Sequence, residues 1–149
     1  MRLRVLGSVV AALSGSACWP GPEVGPVLET NASSISGPNA RFSELQAKLF
    51  TPDCASSLCH SGNPPAHAPL SLDDGQSHAN LINRPASQAS SIVLVKPGYP
   101  EQSYLMLKLL GTVGTSGSVS TRMPLNKPSI DADRLAAVRG WILRGAPND

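Results

Sequence analysis

The chain has few aromatic residues and few charges. Of its 149 residues only 4% are aromatic and only 15% are charged, which excludes a highly charged disordered chain. The 12 basic and 10 acidic residues nearly balance, so no basic face of the kind that binds nucleic acid is expected. The length fits one domain and is too short for two.

The first residues have the pattern of an export signal. Arg2 and Arg4 precede a short apolar run over 5–13, which is too short to cross a membrane as a helix. Small residues then precede Cys18, as in the bacterial lipobox, although Gly15 stands where that motif usually has Leu. We predict a signal peptide over 1–17 and a lipid on Cys18, which would anchor the protein on the periplasmic side of a bacterial membrane. The alternative is a soluble periplasmic protein with a spare thiol.

The rest of the chain divides into a tether and one domain. Residues 18–40 are rich in Pro and Gly and lack an apolar period, so a tether is expected there. Over 41–149, apolar spacing and capping residues predict an all-α domain without a sheet. Its helices are expected near 42–49, 71–83, 101–110 and 131–143. About four short helices and long loops hold little apolar surface, so something large and apolar is expected inside.

One segment carries a chemical pattern, because Cys54 and Cys59 are followed directly by His60. Two thiols and an adjacent imidazole are the arrangement that attaches haem c. The thiols add across the two vinyl groups of the porphyrin, and the imidazole binds the iron. Four residues separate the cysteines here, which is a minority form of the usual Cys-x-x-Cys-His.

Three other interpretations of these cysteines stay open. A disulfide between Cys54 and Cys59 is allowed in an exported protein, but it leaves His60 unexplained. A zinc site completed by His67 or His78 does not match a compact Cys₂His₂ spacing. Two unrelated free thiols are unusual outside the cytoplasm.

A second axial ligand is expected from a distant loop on the opposite face of a haem. Met123, in the segment Thr-Arg-Met-Pro, lies between a Gly-rich loop and the last predicted helix. Its thioether would stabilise reduced iron and suit electron transfer. Met106 lies within the apolar helix 101–110 and is expected in the core. His78 is a weaker candidate ligand, expected to be exposed.

These segments together resemble the small class I-like cytochrome c domains of bacterial exported proteins, akin to the planctomycete-type cytochrome c module. The resemblance covers about 42–148. Its landmarks are Leu-Phe-Thr-Pro before the cysteines, the Cys54-to-Gly62 motif, Arg-Met-Pro-Leu at 122–125 and Trp-Ile at 141–142. It implies an all-α fold around one haem c, with Cys54, Cys59 and His60 at the haem and Met123 as distal ligand.

The sequence therefore predicts a single-haem c-type cytochrome, an electron carrier and not an enzyme, that serves redox partner proteins at the cell envelope. Trp141 and Tyr104 are expected to pack on the haem, and Arg122 either faces a propionate or is solvated. The alternative is a non-redox exported lipoprotein that keeps a Cys54–Cys59 disulfide and binds another protein. A haem enzyme or sensor would instead need an open distal position.

Overall fold

The computed structural model describes residues 34–62, 69–112 and 121–149. Cys18 and His67, with the whole predicted signal peptide and most of the predicted tether, lie outside these ranges. Within them the helices are α1 (Phe42–Leu45), α2 (Ser77–Leu81), α3 (Tyr104–Leu110) and α4 (Ala132–Leu143). A π-helical segment continues α1 over Gln46–Cys54, and single 3₁₀ turns lie at Gly37–Asn39 and Pro100–Gln102.

Helix α4 is the element that the sequence predicts best. Asp131 caps it, since its side chain accepts a hydrogen bond from the backbone N–H of Arg134 at 2.8 Å, which satisfies a helix-terminal donor. Val138, Trp141 and Ile142 are completely buried, as their helical spacing predicts. The helix ends before Gly145, whose φ of +93° suits a residue without a side chain.

The first helix runs further than predicted. The sequence predicts its end near residue 49, but helical backbone continues through Pro52 to Cys54. The N–H of Ala55 bonds to the carbonyl of Phe50 at 2.7 Å, five residues back. This wider turn accommodates Pro52, which has no N–H to donate. The extension matters because it carries Cys54 up against the core.

A small sheet accompanies the helices, where the sequence predicts none. Strands β1 (Pro85–Ala86) and β2 (Ala89–Val93) form an antiparallel hairpin, and Ile82 makes a parallel bridge to Val95. Such short, half-exposed strands carry no alternating pattern, so spacing does not reveal them. The described residues thus form helices and one small hairpin, and the all-α fold class stays a prediction.

The folded part begins earlier than residue 41. Ile35 and Ala40 are buried, and the 3₁₀ turn Gly37–Asn39 packs on α4. A Cβ added at Gly140 would lie 2.1 Å from the carbonyl oxygen of Pro38, so the two backbones touch there. The guanidinium of Arg144 donates to the carbonyls of both Pro38 and Ala40. The end of the predicted tether thus belongs to the domain.

The core is closed by the chain's own side chains. Trp141 lies at its centre with no exposed surface. Its ring centroid is 5.2 Å from that of Phe42, and its indole N–H donates to the carbonyl of Pro147 at 2.8 Å. The expected gap in the interior is therefore absent around Trp141. A haem would have to lie at the edge of this core.

Candidate functional site

The segment 54–60 forms a compact loop at the end of the π-helical segment. The backbone N–H of His60 donates to the carbonyl of Cys54 at 3.1 Å, and that of Cys59 donates to Ser56 at 2.9 Å. These bonds close the four-residue insertion between the cysteines. Cys54 and Cys59 are both free thiols, so the disulfide of the alternative interpretation is not formed in this structure.

The two thiols lie in different surroundings. Cys54 is half-buried and packs against the core, whereas Cys59 is exposed. Burial, with a smaller contribution from the charge of Asp53, raises the pKa of the Cys54 thiol to about 12. Without a bound group, the thiol of Cys54 therefore stays protonated over a wider pH range than that of an ordinary cysteine.

His60 has a defined orientation. Its Nδ1 atom lies 2.9 Å from the carbonyl oxygen of Leu70, and a carbonyl can only accept, so Nδ1 carries the proton of the neutral ring. The backbone carbonyl of His60 also accepts from the N–H of Leu72 at 2.7 Å. The lone pair of the neutral imidazole is then on Nε2, and metal-binding histidines are commonly held through their other nitrogen in this way.

The segment around Met123 lies near this loop. Lys127 is close enough to Cys54 for its charge to act on the pKa of that thiol. Met123 itself is half-buried, and its backbone N–H donates to the carbonyl of Lys108 on α3 at 2.8 Å. The charge of Lys127, four residues after Met123, therefore acts on the cysteine loop.

Arg122 carries an unsatisfied buried group. Its Nη2 donates to the carbonyl of Lys127 at 2.8 Å, but Nη1 is buried and has no hydrogen-bond partner in the described structure. Its side chain is packed close to Gly111, where an added Cβ would lie 3.0 Å from it. A buried cationic donor without an acceptor is costly. The geometry therefore favours an anionic partner for Nη1.

Two residues predicted to line a haem are buried among the chain's own side chains. Trp141 is enclosed in the core and has no free surface to offer. Tyr104 is also buried, and its hydroxyl donates to Oε1 of Gln88 at 3.0 Å. Both sit on helices whose apolar faces turn inward, which accounts for their burial without a cofactor.

His78 is a further correction, because it was expected to be exposed. It is half-buried, with Nε2 2.9 Å from the carbonyl oxygen of Ala146 and its ring edge-on to Phe42 at 4.9 Å between centroids. These contacts give it a packing role and occupy the nitrogen that a metal would need. Met106 is buried in the core, and its prediction is confirmed.

A zinc site finds no donor set in the part of the chain that is described. There, no group of three or more His, Cys, Asp or Glu side chains is placed to hold a metal ion. In the same ranges, no helix is both long and apolar enough to cross a membrane.

Lys108 is a site residue that the sequence interpretation missed. It contacts the Met123 segment through both its backbone carbonyl and its side chain. The available signal was a single lysine inside the apolar run Tyr-Leu-Met-Leu-Lys-Leu-Leu at 104–110, where an ordinary apolar face has none.

Comparison with known proteins found no matching family, no similar curated protein and no similar solved structure. The placement of Cys54, Cys59, His60, Arg122 and Met123 is therefore the ground on which a function can be proposed.

Proposed function

We propose that this domain is a single-haem c-type cytochrome that carries electrons at the cell envelope. The observation that carries the proposal is the hydrogen-bond distance between His60 Nδ1 and the Leu70 carbonyl, 2.9 Å. It leaves Nε2 as the ring nitrogen available to iron, on the residue that directly follows two free thiols. A histidine with only a packing role would not need to follow Cys54 and Cys59 directly in the sequence, as His60 does.

The residues present fit the group. Cys54 and Cys59 would hold haem c covalently, and His60 Nε2 and the Met123 sulfur would be its axial ligands. When bound, the iron supplies one-electron chemistry. The chain holds these side chains at the edge of a closed core: Cys54 and Met123 are half-buried, and Cys59 is exposed.

Arg122 supports the same proposal through charge. A carboxylate of the haem would accept from the buried Nη1, which has no acceptor in the described structure. A charge-assisted bond of this kind is strong, and it would offset the cost of keeping the guanidinium partly out of water.

The rival functions make different demands. A haem enzyme or sensor needs an open distal position, whereas the proposed cytochrome would fill that position with the half-buried Met123. The non-redox lipoprotein needs a disulfide between Cys54 and Cys59, which are free thiols here. Both the lipoprotein and the cytochrome would be exported and carry a lipid on Cys18, so localisation alone does not separate these two functions.

The experiment is the mass and visible spectrum of the full chain, exported from a host that attaches haem c. We expect one haem of added mass that survives denaturation, together with an intense Soret band. Changing Cys54 and Cys59 to Ser should abolish both, while Ser56→Ala and Ser57→Ala in the same loop should keep them. A colourless chain whose mass is lower by the two hydrogen atoms lost when a disulfide forms would overturn the proposal and favour the lipoprotein alternative.

A further inference from the structure

Lys108 is a charged residue held inside a largely apolar helix. Its ammonium nitrogen donates to Oε1 of Gln88 at 3.0 Å and to the carbonyl of Thr121 at 3.0 Å. It also lies 5.8 Å from the ring centroid of Tyr104, within reach of its π face. The side chain thus joins three parts of the fold: the tip of the β1–β2 hairpin, α3 and the segment that contains Met123.

The described hydrogen bonds that join residues 121–123 to α3 all end on Lys108. Its carbonyl accepts from the N–H of Met123 at 2.8 Å, and its ammonium donates to Thr121. Lys108 therefore binds this segment at Thr121 and at Met123, the two neighbours of Arg122. Among the described residues Lys108 has no carboxylate partner, since none of the ion pairs found there includes it.

A lysine placed this way costs free energy unless its contacts compensate. Burial lowers the pKa of Lys108, which means that the charged form is partly desolvated. A lysine whose ammonium group stayed in water would cost less free energy at this position. The contacts of Lys108 must therefore compensate for its desolvation. Two carbonyl-type acceptors and a ring face are the partners that a charged donor needs to stay here.

We propose that Lys108 is a positioning residue, whose ammonium group holds residues 121–123 against α3 and thereby fixes the side chain of Met123. Only the role of Met123 as an iron ligand rests on the function proposed above. The clamp itself is a property of this chain with or without a haem.

The test compares amide hydrogen exchange at Met123, followed by NMR on the full chain, in the wild type and Lys108→Met. The variant keeps the aliphatic stem and the backbone carbonyl but loses the ammonium. We expect exchange at Met123 to become about tenfold faster, the lower end of what a hydrogen bond to a charged group contributes. Lys108→Arg, which keeps the charge and the donors, should restore most of the protection.

Lys96→Met is the matched control. Lys96 also donates to a glutamine oxygen, that of Gln102 at 2.6 Å, and lies 4.6 Å from the ring centroid of a tyrosine. It makes no contact with residues 121–123 among its described bonds, so its loss should leave Met123 unchanged. Equal exchange in the wild type and Lys108→Met, or equal acceleration by Lys96→Met, would overturn the proposal.

Two further measurements keep the result decisive. If Lys108→Met does not fold by circular dichroism, Lys108→Gln replaces the ammonium by a shorter, neutral amide and should accelerate exchange at Met123 about threefold, the scale of a neutral hydrogen bond; exchange equal to that of the wild type would overturn the clamp. In the haem-loaded protein, Lys108→Met should also weaken the absorption that reports a methionine–iron bond. If the exported chain takes up no haem while Lys108→Met still accelerates exchange at Met123, the clamp is retained and the cytochrome is rejected.

Discussion

Lys127 lies close enough to Cys54 for its positive charge to oppose the rise in the pKa of that thiol. Cys54 is in the cysteine loop and Lys127 is four residues after Met123, so a charge from the segment of the proposed distal ligand acts on the loop of the proposed haem attachment. This electrostatic link between distant parts of the sequence is the basis for the first prediction.

Met123→Ala should remove the distal ligand. A thioether on oxidised haem iron gives a weak absorption near the red end of the visible spectrum. We expect this band in the native protein and its loss in the variant, together with a lower reduction potential and binding of added imidazole at the vacated position. Met106→Leu is the control: Met106 is 4% exposed in the core, so the band should stay. If neither change affects the spectrum, the sixth ligand is a histidine or water and an enzyme becomes the better interpretation.

The two thiols should differ in reactivity before haem is attached. Cys54, with its pKa raised to about 12, ionises only when the pH rises far above the usual range. At pH 8 its thiolate fraction in the folded state is roughly 10⁻⁴. Iodoacetamide should therefore label the exposed Cys59 first and Cys54 only on unfolding, as read by peptide mass mapping. Equal labelling in denaturant is the control, and fast labelling of Cys54 in the folded chain would contradict its placement.

Arg122→Met should change the unfolding free energy by different amounts in two backgrounds. In a chain with Cys54 and Cys59 changed to Ser, the variant loses one bond to Lys127 but also the unpaired buried donor, so unfolding free energy should change little. In the haem-loaded chain it should cost about 2 kcal/mol, the scale of a hydrogen bond to a charged group. The difference between the backgrounds isolates the pairing with a haem carboxylate. Equal effects in both would show that Nη1 has no such partner.

Gly140→Ala should strongly destabilise the domain. Alanine in a helix interior normally stabilises by about 0.5–1 kcal/mol, but here its Cβ would lie 2.1 Å from the carbonyl oxygen of Pro38. We expect a net loss of about 3 kcal/mol in denaturant unfolding. Gly75→Ala meets no atom within 4 Å and strains only a backbone φ of +78°, so it should cost about 1 kcal/mol. A Gly140→Ala protein as stable as the wild type would show that the turn Gly37–Asn39 does not dock on α4.

Cys18→Ala tests the predicted lipid. If Cys18 carries it, the variant should move from the membrane to the soluble periplasmic fraction while keeping its haem. Ser16→Ala leaves a small residue and the cysteine in place, and should remain membrane-bound. Membrane association of Cys18→Ala equal to that of the wild type would reject the lipid anchor.

The sequence predicts elements whose signals are local. Helix caps follow from backbone requirements that one residue can meet: Asp131 stands directly before α4 begins, and Gly111 stands directly after α3 ends. The cysteine motif and Met123 were identified by chemistry, and their roles at a haem stay predictions.

What the sequence does not predict depends on contacts between distant segments. The packing of Pro38 on Gly140, the carbonyl of Leu70 at His60 and the clamp of Lys108 on Thr121 all join residues without any shared periodicity. Trp141 and Tyr104 are buried within the chain's own packing, at 0% and 6% exposure, and their packing on a haem stays a prediction.

The docked N-terminal segment has a mechanical consequence. Ser34 and Ser36 bond to side chains at the start of the domain, Lys48 and Glu44, while Arg144 holds Pro38 and Ala40. A pull on the chain at Ser34 therefore loads several hydrogen bonds on two helical elements together before it reaches the loop 54–60. Tension from an anchored N-terminus would first break the contacts between this segment and α4. The geometry of His60 would not change until those contacts were lost.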